Sequence, residues 1–289
     1  MVDCRFQWLY AHLTERGNFQ IRTITTAFPG GEVTWRVLGT GSKCMLAFHG
    51  FGQTGKAFYP LAEALPDTTI YALDLPFHGF SMQIDKSEPW CGRDILQMVD
   101  VLQKSEDFER FSMVGYSIGA KVAFAILEEY FTRVQGLVLI APDGISRNFW
   151  YSLATQNRLM RRVFRRVLAH KFLFKNLMHM TSAMGLVSSE SGELAHYTVE
   201  NRRQQVYDTW CFFRRLRWRK NQGIRLINKY QVPIIIVLGS DDKVIPKKGI
   251  IKFSLSIPSC QIVTLEGGHH QLIRLYANRL IGQVDEMTH

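Results

Sequence analysis

Several kinds of segment are missing from this chain, and each absence narrows its class. The five cysteines are odd in number and scattered without C-x-x-C spacing, which argues against a disulfide framework and a zinc site. The longest aliphatic runs, such as residues 232–238, are far too short to cross a bilayer. Neither an internal repeat nor a low-complexity tract is evident. These absences favour a globular protein of a reducing compartment.

The first 17 residues also lack the apolar centre of a signal peptide, because charged and polar side chains interrupt them. We therefore expect a soluble, cytoplasmic protein. Its hydrophobic content of 46% and aromatic content of 12% in 289 residues can fill a sizeable core. A chain of this length forms one large α/β domain or a core that carries an insertion.

Positive charge is concentrated in one segment. Residues 143–230 hold 17 Lys and Arg against 5 Asp and Glu, whereas the rest of the chain holds 18 against 20. The segment therefore accounts for the whole excess of +10. Such a basic face either contacts only solvent, binds an anionic substrate, or docks on an anionic membrane. Nucleic acid is not expected as a partner, because no recognised binding motif accompanies the charge.

Strand-like and helix-like stretches alternate on both sides of this segment. Apolar runs predict strands, and helical spacing of apolar residues predicts the helices between them. Segments 19–28 and 32–38 alternate in part, as an antiparallel lead-in hairpin would. The pattern predicts a doubly wound, mostly parallel sheet. Strands are predicted at 43–49, 69–74, 111–114, 134–141, 232–238 and 261–265, and helices at 59–65, 93–104, 118–130, 246–255 and 270–287.

The alternation breaks at residue 143 and resumes near residue 230. The intervening stretch has no strand signal, and residues 159–168 place apolar side chains towards one side of a helix and arginines towards the other. We predict a core of residues 1–142 and 230–289 and a helical, basic cap of residues 143–229 over the carboxyl edge of the sheet. A basic amphipathic helix of this kind also suits peripheral contact with an anionic membrane.

The sequence G-Y-S-I-G at residues 115–119 lies between a predicted strand and a predicted helix. This turn leaves no room for side chains at its glycines, lifts Ser117 clear of the backbone and places its oxygen near a helix N-terminus. A serine hydroxyl is a poor nucleophile at neutral pH and needs a base, which in turn needs an orienting acid. Ser117 is therefore the candidate nucleophile.

Acids and bases follow later strands of the predicted sheet. The carboxyl ends of parallel strands meet at one edge, so these residues should gather near Ser117. The order of serine, aspartate and histidine along the chain is that of α/β hydrolases. The candidates are the acids Asp143, Asp241 and Asp242 and the bases His269 and His270.

Two further motifs extend this likeness, and the chain resembles a capped member of the α/β-hydrolase superfamily over nearly all of its length except the cap. H-G-F-G at 49–52 resembles the family's H-G-x-x motif, and D-L-P-F-H-G-F-S at 74–81 resembles its D-x-P-G-H-G-x-S loop. The second motif departs from the pattern at Phe77, where glycine is usual, so we expect an altered turn that places an aromatic ring near the site. His78 is interpreted as a structural loop residue.

The resemblance implies a role for each site residue. Ser117 would be the nucleophile, Asp242 the acid of the family's G-x-x-D-x-x-x-P pattern, and His269 the base of its Gly-His signature. The backbone N–H groups of Phe51 and Ile118 would form the oxyanion hole. No metal and no organic cofactor are implied.

Serine at the elbow, where dehalogenase-like and epoxide hydrolase-like relatives carry aspartate, predicts acyl transfer. We expect a serine hydrolase that cleaves a small carboxylic ester or thioester through an acyl-serine, with an anionic or amphiphilic substrate. Two alternatives stay open. An elbow followed by Lys121 is similar to that of the menaquinone-pathway lyase, in which the triad abstracts a proton and no acyl-enzyme forms. The chain could instead be a hydrolase-fold binding protein without turnover.

Overall fold

The computed structural model describes residues 20–82, 84–145, 149–170 and 200–285. Sequence predictions for residues 1–19, 171–199 and 286–289 lie outside the described residues. Within the described residues, no helix is long and apolar enough to cross a membrane.

One eight-stranded sheet organises the chain, in the order β1-β2-β4-β3-β5-β6-β7-β8. Strands β1 and β2 pair antiparallel, as do β2 and β4, and the remaining neighbours are parallel. The predicted hairpin and the mostly parallel α/β sheet are therefore confirmed. The strands are β1 Ile21–Phe28, β2 Gly31–Leu38, β3 Lys43–Phe48, β4 Thr68–Leu73, β5 Phe111–Tyr116, β6 Val134–Ile140, β7 Ile234–Gly239 and β8 Cys260–Leu265.

Helices connect the strands and cover the sheet. The closing helix starts later than its apolar pattern predicts, because a 3₁₀ turn at His269–Gln271 precedes it. The helices are α1 Tyr59–Ala64, α2 Gly92–Glu106, α3 Gly119–Tyr130, α4 Phe149–Gln156, α5 Arg158–Ala169, α6 Glu200–Phe212, α7 Lys220–Tyr230, α8 Lys247–Ser254 and α9 Leu272–Asp285.

Strand β7 shows why the central strands read as unbroken apolar runs. Successive side chains of a strand point to opposite faces of the sheet. Ile234 and Ile236 join the apolar layer that contains α2 and α3, whereas Ile235 and Val237 join the layer that contains α1 and α9. Both faces of the sheet are therefore covered, and the strand has no solvent face that would select polar residues.

Helices α4, α5 and α6, here called the inserted helices, lie between β6 and β7 in the chain. Helix α5 packs on α6 through Phe164, whose ring lies 5.8 Å from that of Tyr207 and 5.6 Å from that of Trp210. Helix α7 contacts the core instead, since Trp218, just before it, stacks on Phe124 of α3 at 4.3 Å. The predicted domain limits stay a prediction.

A buried ion pair fixes the loops that follow β3 and β4. Arg36 of β2 donates to both carboxylate oxygens of Asp74, over 3.0 and 2.8 Å. The same carboxylate accepts the N–H groups of Gly55 at 2.7 Å and Phe80 at 3.0 Å. Burial alone would raise the pKa of Asp74, but these hydrogen bonds and the guanidinium lower it below its usual range. One charged group thus binds three segments of the chain.

Breaking the Arg36–Asp74 ion pair should destabilise the folded protein strongly. Arg36→Met leaves the Asp74 charge buried without its partner, so we expect the free energy of unfolding to fall by about 3–5 kcal/mol. Urea unfolding followed by circular dichroism measures it. The matched control is Arg215→Met, which removes an exposed ion pair with Glu88 at 3.1 Å and should change stability by less than about 1 kcal/mol. Equal, small effects of both substitutions would contradict this account.

Candidate active site

Ser117 occupies the sharp turn between β5 and α3. Its φ of 51° lies in the left-handed region, which costs a non-glycine residue roughly 1–2 kcal/mol. Its N–H donates to the Ile140 carbonyl at 2.9 Å, and its own carbonyl accepts the N–H groups of Ala120 and Asp143 at 3.1 and 3.0 Å. The main chain therefore holds the strained turn from both sides, as in a nucleophile elbow.

The two glycines of the turn permit close approaches that any side chain would block. A Cβ at Gly119 would lie 2.1 Å from the carbonyl oxygen of Phe48, at the end of β3. A Cβ at Gly115 would lie 2.8 Å from the Cα of Ala120 in the first turn of α3. The steric reason expected from the sequence is therefore present in the structure.

A hydrogen-bond chain links Ser117 to a histidine and an aspartate from distant loops. The Nε2 atom of His269 lies 3.2 Å from the Oγ atom of Ser117. The Nδ1 atom of His269 lies 2.8 Å from Oδ2 of Asp242. A carboxylate at Nδ1 keeps the proton on that nitrogen, which leaves Nε2 to accept the serine proton. The predicted Ser117, Asp242 and His269 are thus brought together in one line.

Asp242, which ends this hydrogen-bond chain, stays ionised. Burial alone would raise the pKa of Asp242, but the hydrogen bond from His269 and those from the N–H groups of Val244 and Ile245, at 2.8 and 3.2 Å, lower it. The backbone bonds are made to Oδ1, so Oδ2 is left for the imidazole. The carboxylate is therefore fixed in orientation as well as in charge.

The rival candidates occupy other places. Asp241 and His270 are exposed on the surface, each next in sequence to a buried residue of the hydrogen-bond chain, Asp242 or His269. Asp143 lies close to the elbow but forms an ion pair with Lys121, with 2.7 Å between Oδ2 and Nζ. Asp242 and His269 are the acid and base that the geometry favours.

The loop after β3 passes directly over the elbow. A Cβ at Gly50 would lie 2.6 Å from the ring of Tyr116 and 3.4 Å from the Cβ atom of Ser117. The backbone of the next residue, Phe51, therefore runs beside the nucleophile. Ile118 follows Ser117 at the start of α3. Both predicted oxyanion donors lie on segments adjacent to Ser117, and their role stays a prediction.

Two neutral histidines lock this loop to the loop after β4. The N–H of Leu75 donates to Nε2 of His49 at 3.0 Å, and the N–H of Gly52 donates to Nε2 of His78 at 3.1 Å. Each Nδ1 therefore carries the proton and donates to a carbonyl of its own loop, at 2.7 and 3.0 Å. Burial lowers the pKa of His49 to about 3 and that of His78 to about 4. The structural interpretation of His78 fits this geometry.

Phe77 has a left-handed backbone conformation, which ordinarily favours glycine. Its φ is 69°, and its N–H donates to the carbonyl of Ser81 at 2.8 Å. Its buried ring meets the ring of Phe212 in α6 edge to face at 5.2 Å, and its carbonyl accepts Nε2 of Gln205 at 2.7 Å. The left-handed turn is therefore held by a backbone hydrogen bond and by packing of the side chain against an inserted helix, which places an aromatic ring beside the loops of the site. The expectation that this turn differs from that of the family stays a prediction.

Sequence reasoning missed the position of one arginine. The Nη1 atom of Arg202 in α6 lies 3.4 Å from the carbonyl oxygen of Gly52, in the loop that crosses the elbow. Its other hydrogen bond, also 3.4 Å, joins the side-chain oxygen of Gln205. Among the residues that the structure describes, no carboxylate pairs with it. Counting basic residues predicted a positive segment but not which residue faces the site.

Comparisons with known proteins show which family the chain resembles. Residues 43–274 match the family described as alpha/beta hydrolase fold. The chain is 25% identical over 244 residues to a poly(3-hydroxyalkanoate) depolymerase of Ectopseudomonas oleovorans, covering 79% of this chain and 78% of that protein. It is 27% identical over 257 residues to a monoglyceride lipase of Homo sapiens, covering 82% and 78%. A thermophilic esterase from Thermogutta terrifontis has a TM-score of 0.64 at 21% identity, covering 93% of this chain and 98% of that one.

The chain belongs to the α/β-hydrolase fold family, because the match spans most of its length. The predictions of this superfamily, of its sheet fold and of an esterase-like hydrolase are confirmed. The roles of individual residues, the helical cap and the cytoplasmic location stay predictions.

The neutral histidines His49 and His78 should make the stability of the protein depend on pH. Their folded pKa values lie below the unfolded value near 6.5, so below that pH the unfolded chain takes up protons that the folded chain refuses. Stability should therefore be complete above about pH 6.5 and fall by about 1.4 kcal/mol per pH unit for each histidine as the pH drops towards 4. Urea midpoints at several pH values measure this slope.

The variant His78→Gln removes one of these titrating groups and keeps a side chain that accepts a hydrogen bond. We expect its stability to vary less steeply with pH than that of the parent below pH 6.5. Parallel slopes for His78→Gln and the parent would rule out a neutral buried His78.

Proposed function

We propose that this protein is a serine hydrolase that cleaves a carboxylic ester or thioester through an acyl-serine intermediate. One observation carries the proposal: the hydrogen-bond chain from Asp242 through His269 to Ser117 at a strained elbow. The names of the curated relatives, a lipase and a depolymerase among them, support ester substrates.

The reaction follows from the arrangement. Ser117 Oγ attacks the substrate carbonyl carbon while Nε2 of His269 takes the hydroxyl proton, and the carbonyl oxygen becomes an oxyanion. The N–H groups of Phe51 and Ile118 would receive that charge, and losing one such donor typically raises the barrier by about 3–4 kcal/mol. The imidazolium then gives its proton to the departing alcohol or thiol. Asp242 holds the ring and stabilises its charge.

Water completes the cycle. His269 takes a proton from a water molecule, whose oxygen attacks the acyl-serine carbonyl. Collapse of the second oxyanion breaks the bond to Oγ, and the proton returns to Ser117. The products are a carboxylic acid and an alcohol or thiol, and the enzyme is regenerated without any cofactor.

We also propose that the inserted helices form a cap and that the substrate is anionic or amphiphilic. Helix α6 contacts both loops beside the elbow, through Arg202 at the Gly52 carbonyl and Gln205 at the Phe77 carbonyl. The Arg202 guanidinium has no carboxylate partner within the described residues, so part of its hydrogen-bonding capacity is available to a ligand. A substrate carboxylate or phosphate would supply the missing acceptor.

The lyase alternative depends on Lys121, and the geometry disfavours it. The ammonium lies 2.7 Å from Oδ2 of Asp143 and 3.8 Å from the centre of the Tyr151 ring, and only 8% of the side chain is exposed. Burial alone would lower the pKa of Lys121, but Asp143 raises it, so the group stays charged and paired. A lysine engaged in this way is unsuited to bind a substrate anion, which favours hydrolysis.

Ser117 should react selectively with a fluorophosphonate probe, because the hydrogen bond to His269 activates its hydroxyl. We expect labelling of the parent at this residue alone, read by mass spectrometry, and none in Ser117→Ala or His269→Ala. Hydrolysis of short p-nitrophenyl esters should fall by about 10⁴-fold in Asp242→Asn, which holds the wrong imidazole tautomer.

The exposed neighbours give matched controls for these substitutions. Asp241→Asn and His270→Ala should keep labelling and ester hydrolysis near the parent level, because neither side chain belongs to the hydrogen-bond chain. Hydrolysis that survives Ser117→Ala would refute the acyl-serine mechanism. Absence of both labelling and hydrolysis in the folded parent would also refute it and would favour the lyase or the binding protein.

Arg202 should discriminate between charged and neutral substrates. For Arg202→Met we expect kcat/KM for a p-nitrophenyl hemisuccinate to fall about ten- to a hundredfold, since a hydrogen bond to a charged group contributes about 1.5–3 kcal/mol. The neutral p-nitrophenyl butyrate should change little. The control Arg225→Met, on an exposed position of α7, should leave both values unaltered. An equal loss of kcat/KM for both esters in Arg202→Met would show that Arg202 has a structural role and does not bind the substrate anion.

A further inference from the structure

The outer face of helix α5 combines several exposed arginines with exposed aliphatic side chains. No acidic residue occurs between Arg158 and Ala169. Two of the exposed side chains are large and apolar, with 59% of Leu159 and 44% of Val163 accessible to solvent. The α5 outer face comprises Arg158, Leu159, Arg162, Val163, Arg165 and Arg166.

The helical repeat places the two kinds of side chain side by side. Residues three or four apart are neighbours on a helix surface. Leu159 and Val163 therefore form one row, and Arg162 and Arg166 form the adjacent row, with Arg158 one turn before Arg162. The face is thus a continuous basic strip with an aliphatic border.

The rest of the helix is firmly held, so this face is a feature of the folded protein. The side chain of Asn157 caps its N-terminus by accepting the N–H of Leu159 at 2.7 Å. On the opposite side, Leu168 is buried against Val206 of α6, beside the aromatic contacts of Phe164. The orientation of α5 is therefore set by packing on one side, and no other part of the described chain covers its outer face.

Arg161, on the same helix, differs because its guanidinium is hydrogen-bonded within the protein. Arg161 donates from Nη1 to the carbonyl oxygens of Thr155 and Gln156, at 2.9 and 3.0 Å, where α4 ends. Within the described residues, the arginines of the α5 outer face have no hydrogen bond or ion pair, and the only ring contact is that of Arg165 with Tyr207 at 6.0 Å. Their charges are available to an external partner.

We propose that the α5 outer face docks on a membrane surface that carries anionic headgroups. Arginines pair with headgroup phosphates, and each basic residue near an anionic surface strengthens binding by about fivefold. Leu159 and Val163 enter the boundary between headgroups and acyl chains, as the apolar side of an interfacial helix does. A nucleic acid backbone would match the charge, but it offers no apolar layer for the aliphatic border. The observations therefore favour a lipid surface.

Docking does not depend on the proposed reaction, because the residues of the α5 outer face take no part in the hydrogen-bond chain at Ser117. The test uses the full chain with Ser117→Ala, so that lipid cleavage cannot alter the vesicles. Sedimentation compares vesicles of phosphatidylcholine alone with vesicles of mixed phosphatidylcholine and phosphatidylglycerol. We expect binding to the mixed vesicles that weakens as salt is added, and little binding to the neutral ones.

Substitutions separate the two components of the face. Arg162→Glu with Arg166→Glu should weaken binding to mixed vesicles more than tenfold, and Leu159→Ser with Val163→Ser should weaken it at unchanged charge. The matched control, Arg225→Glu with Lys248→Glu, makes the same change in net charge at exposed positions of α7 and α8 and should bind like the parent. Circular dichroism verifies that each variant is folded.

Each outcome decides the proposal. Equal binding to neutral and anionic vesicles would overturn it. So would a loss of binding in Arg225→Glu with Lys248→Glu equal to that in Arg162→Glu with Arg166→Glu, or unaltered binding in Leu159→Ser with Val163→Ser. Duplex DNA of arbitrary sequence, tested at the same salt concentration, must bind more weakly than the mixed vesicles. Tighter binding to the duplex would overturn the proposal and would identify nucleic acid as the partner of the α5 outer face.

Discussion

The carboxylate of Asp74 is the group on which the surroundings of Ser117 depend. It is fully buried, and its charge is balanced by Arg36 from β2 while backbone N–H groups of Gly55 and Phe80 complete its hydrogen bonds. A buried charge tolerates few arrangements, since any displacement of a partner leaves it unsolvated. The loops after β3 and β4 are therefore held in one relative position, and the segment that crosses the elbow inherits that precision.

Three histidines near the site illustrate how the partner decides the role. His49 and His78 each accept a backbone N–H at Nε2, and burial keeps both neutral, so they act as fixed connectors between two loops. His269 faces a carboxylate at Nδ1 and a hydroxyl at Nε2. In the proposed mechanism this third imidazole takes the proton of Ser117, and Asp242 would stabilise the resulting cation. The groups at the two ring nitrogens therefore distinguish the structural histidines from the proposed base.

Local patterns predicted the sheet well, because β7 and its neighbours are covered on both faces and read as unbroken apolar runs. The elbow was predictable for the same kind of reason, since Gly119 meets the Phe48 carbonyl at a distance that excludes any other residue. Two features were beyond such reasoning. Phe77 has a left-handed backbone, and its ring packs on that of Phe212, far along the chain. Arg202 contacts the Gly52 carbonyl across a long sequence separation, which no local pattern indicates.

Tyr116, the residue before Ser117, contacts two other segments of the site. Its hydroxyl donates to the carbonyl of His269 at 2.9 Å, its ring lies 5.1 Å from the imidazole, and Gly50 is pressed against the ring edge. Tyr116 therefore lies between the loop that carries His269 and the loop that carries Gly50. A larger residue at position 50 would require a smaller one at position 116, which would in turn remove the support of the histidine. The side chain at position 116 thus couples the size that position 50 can accommodate to the placement of His269.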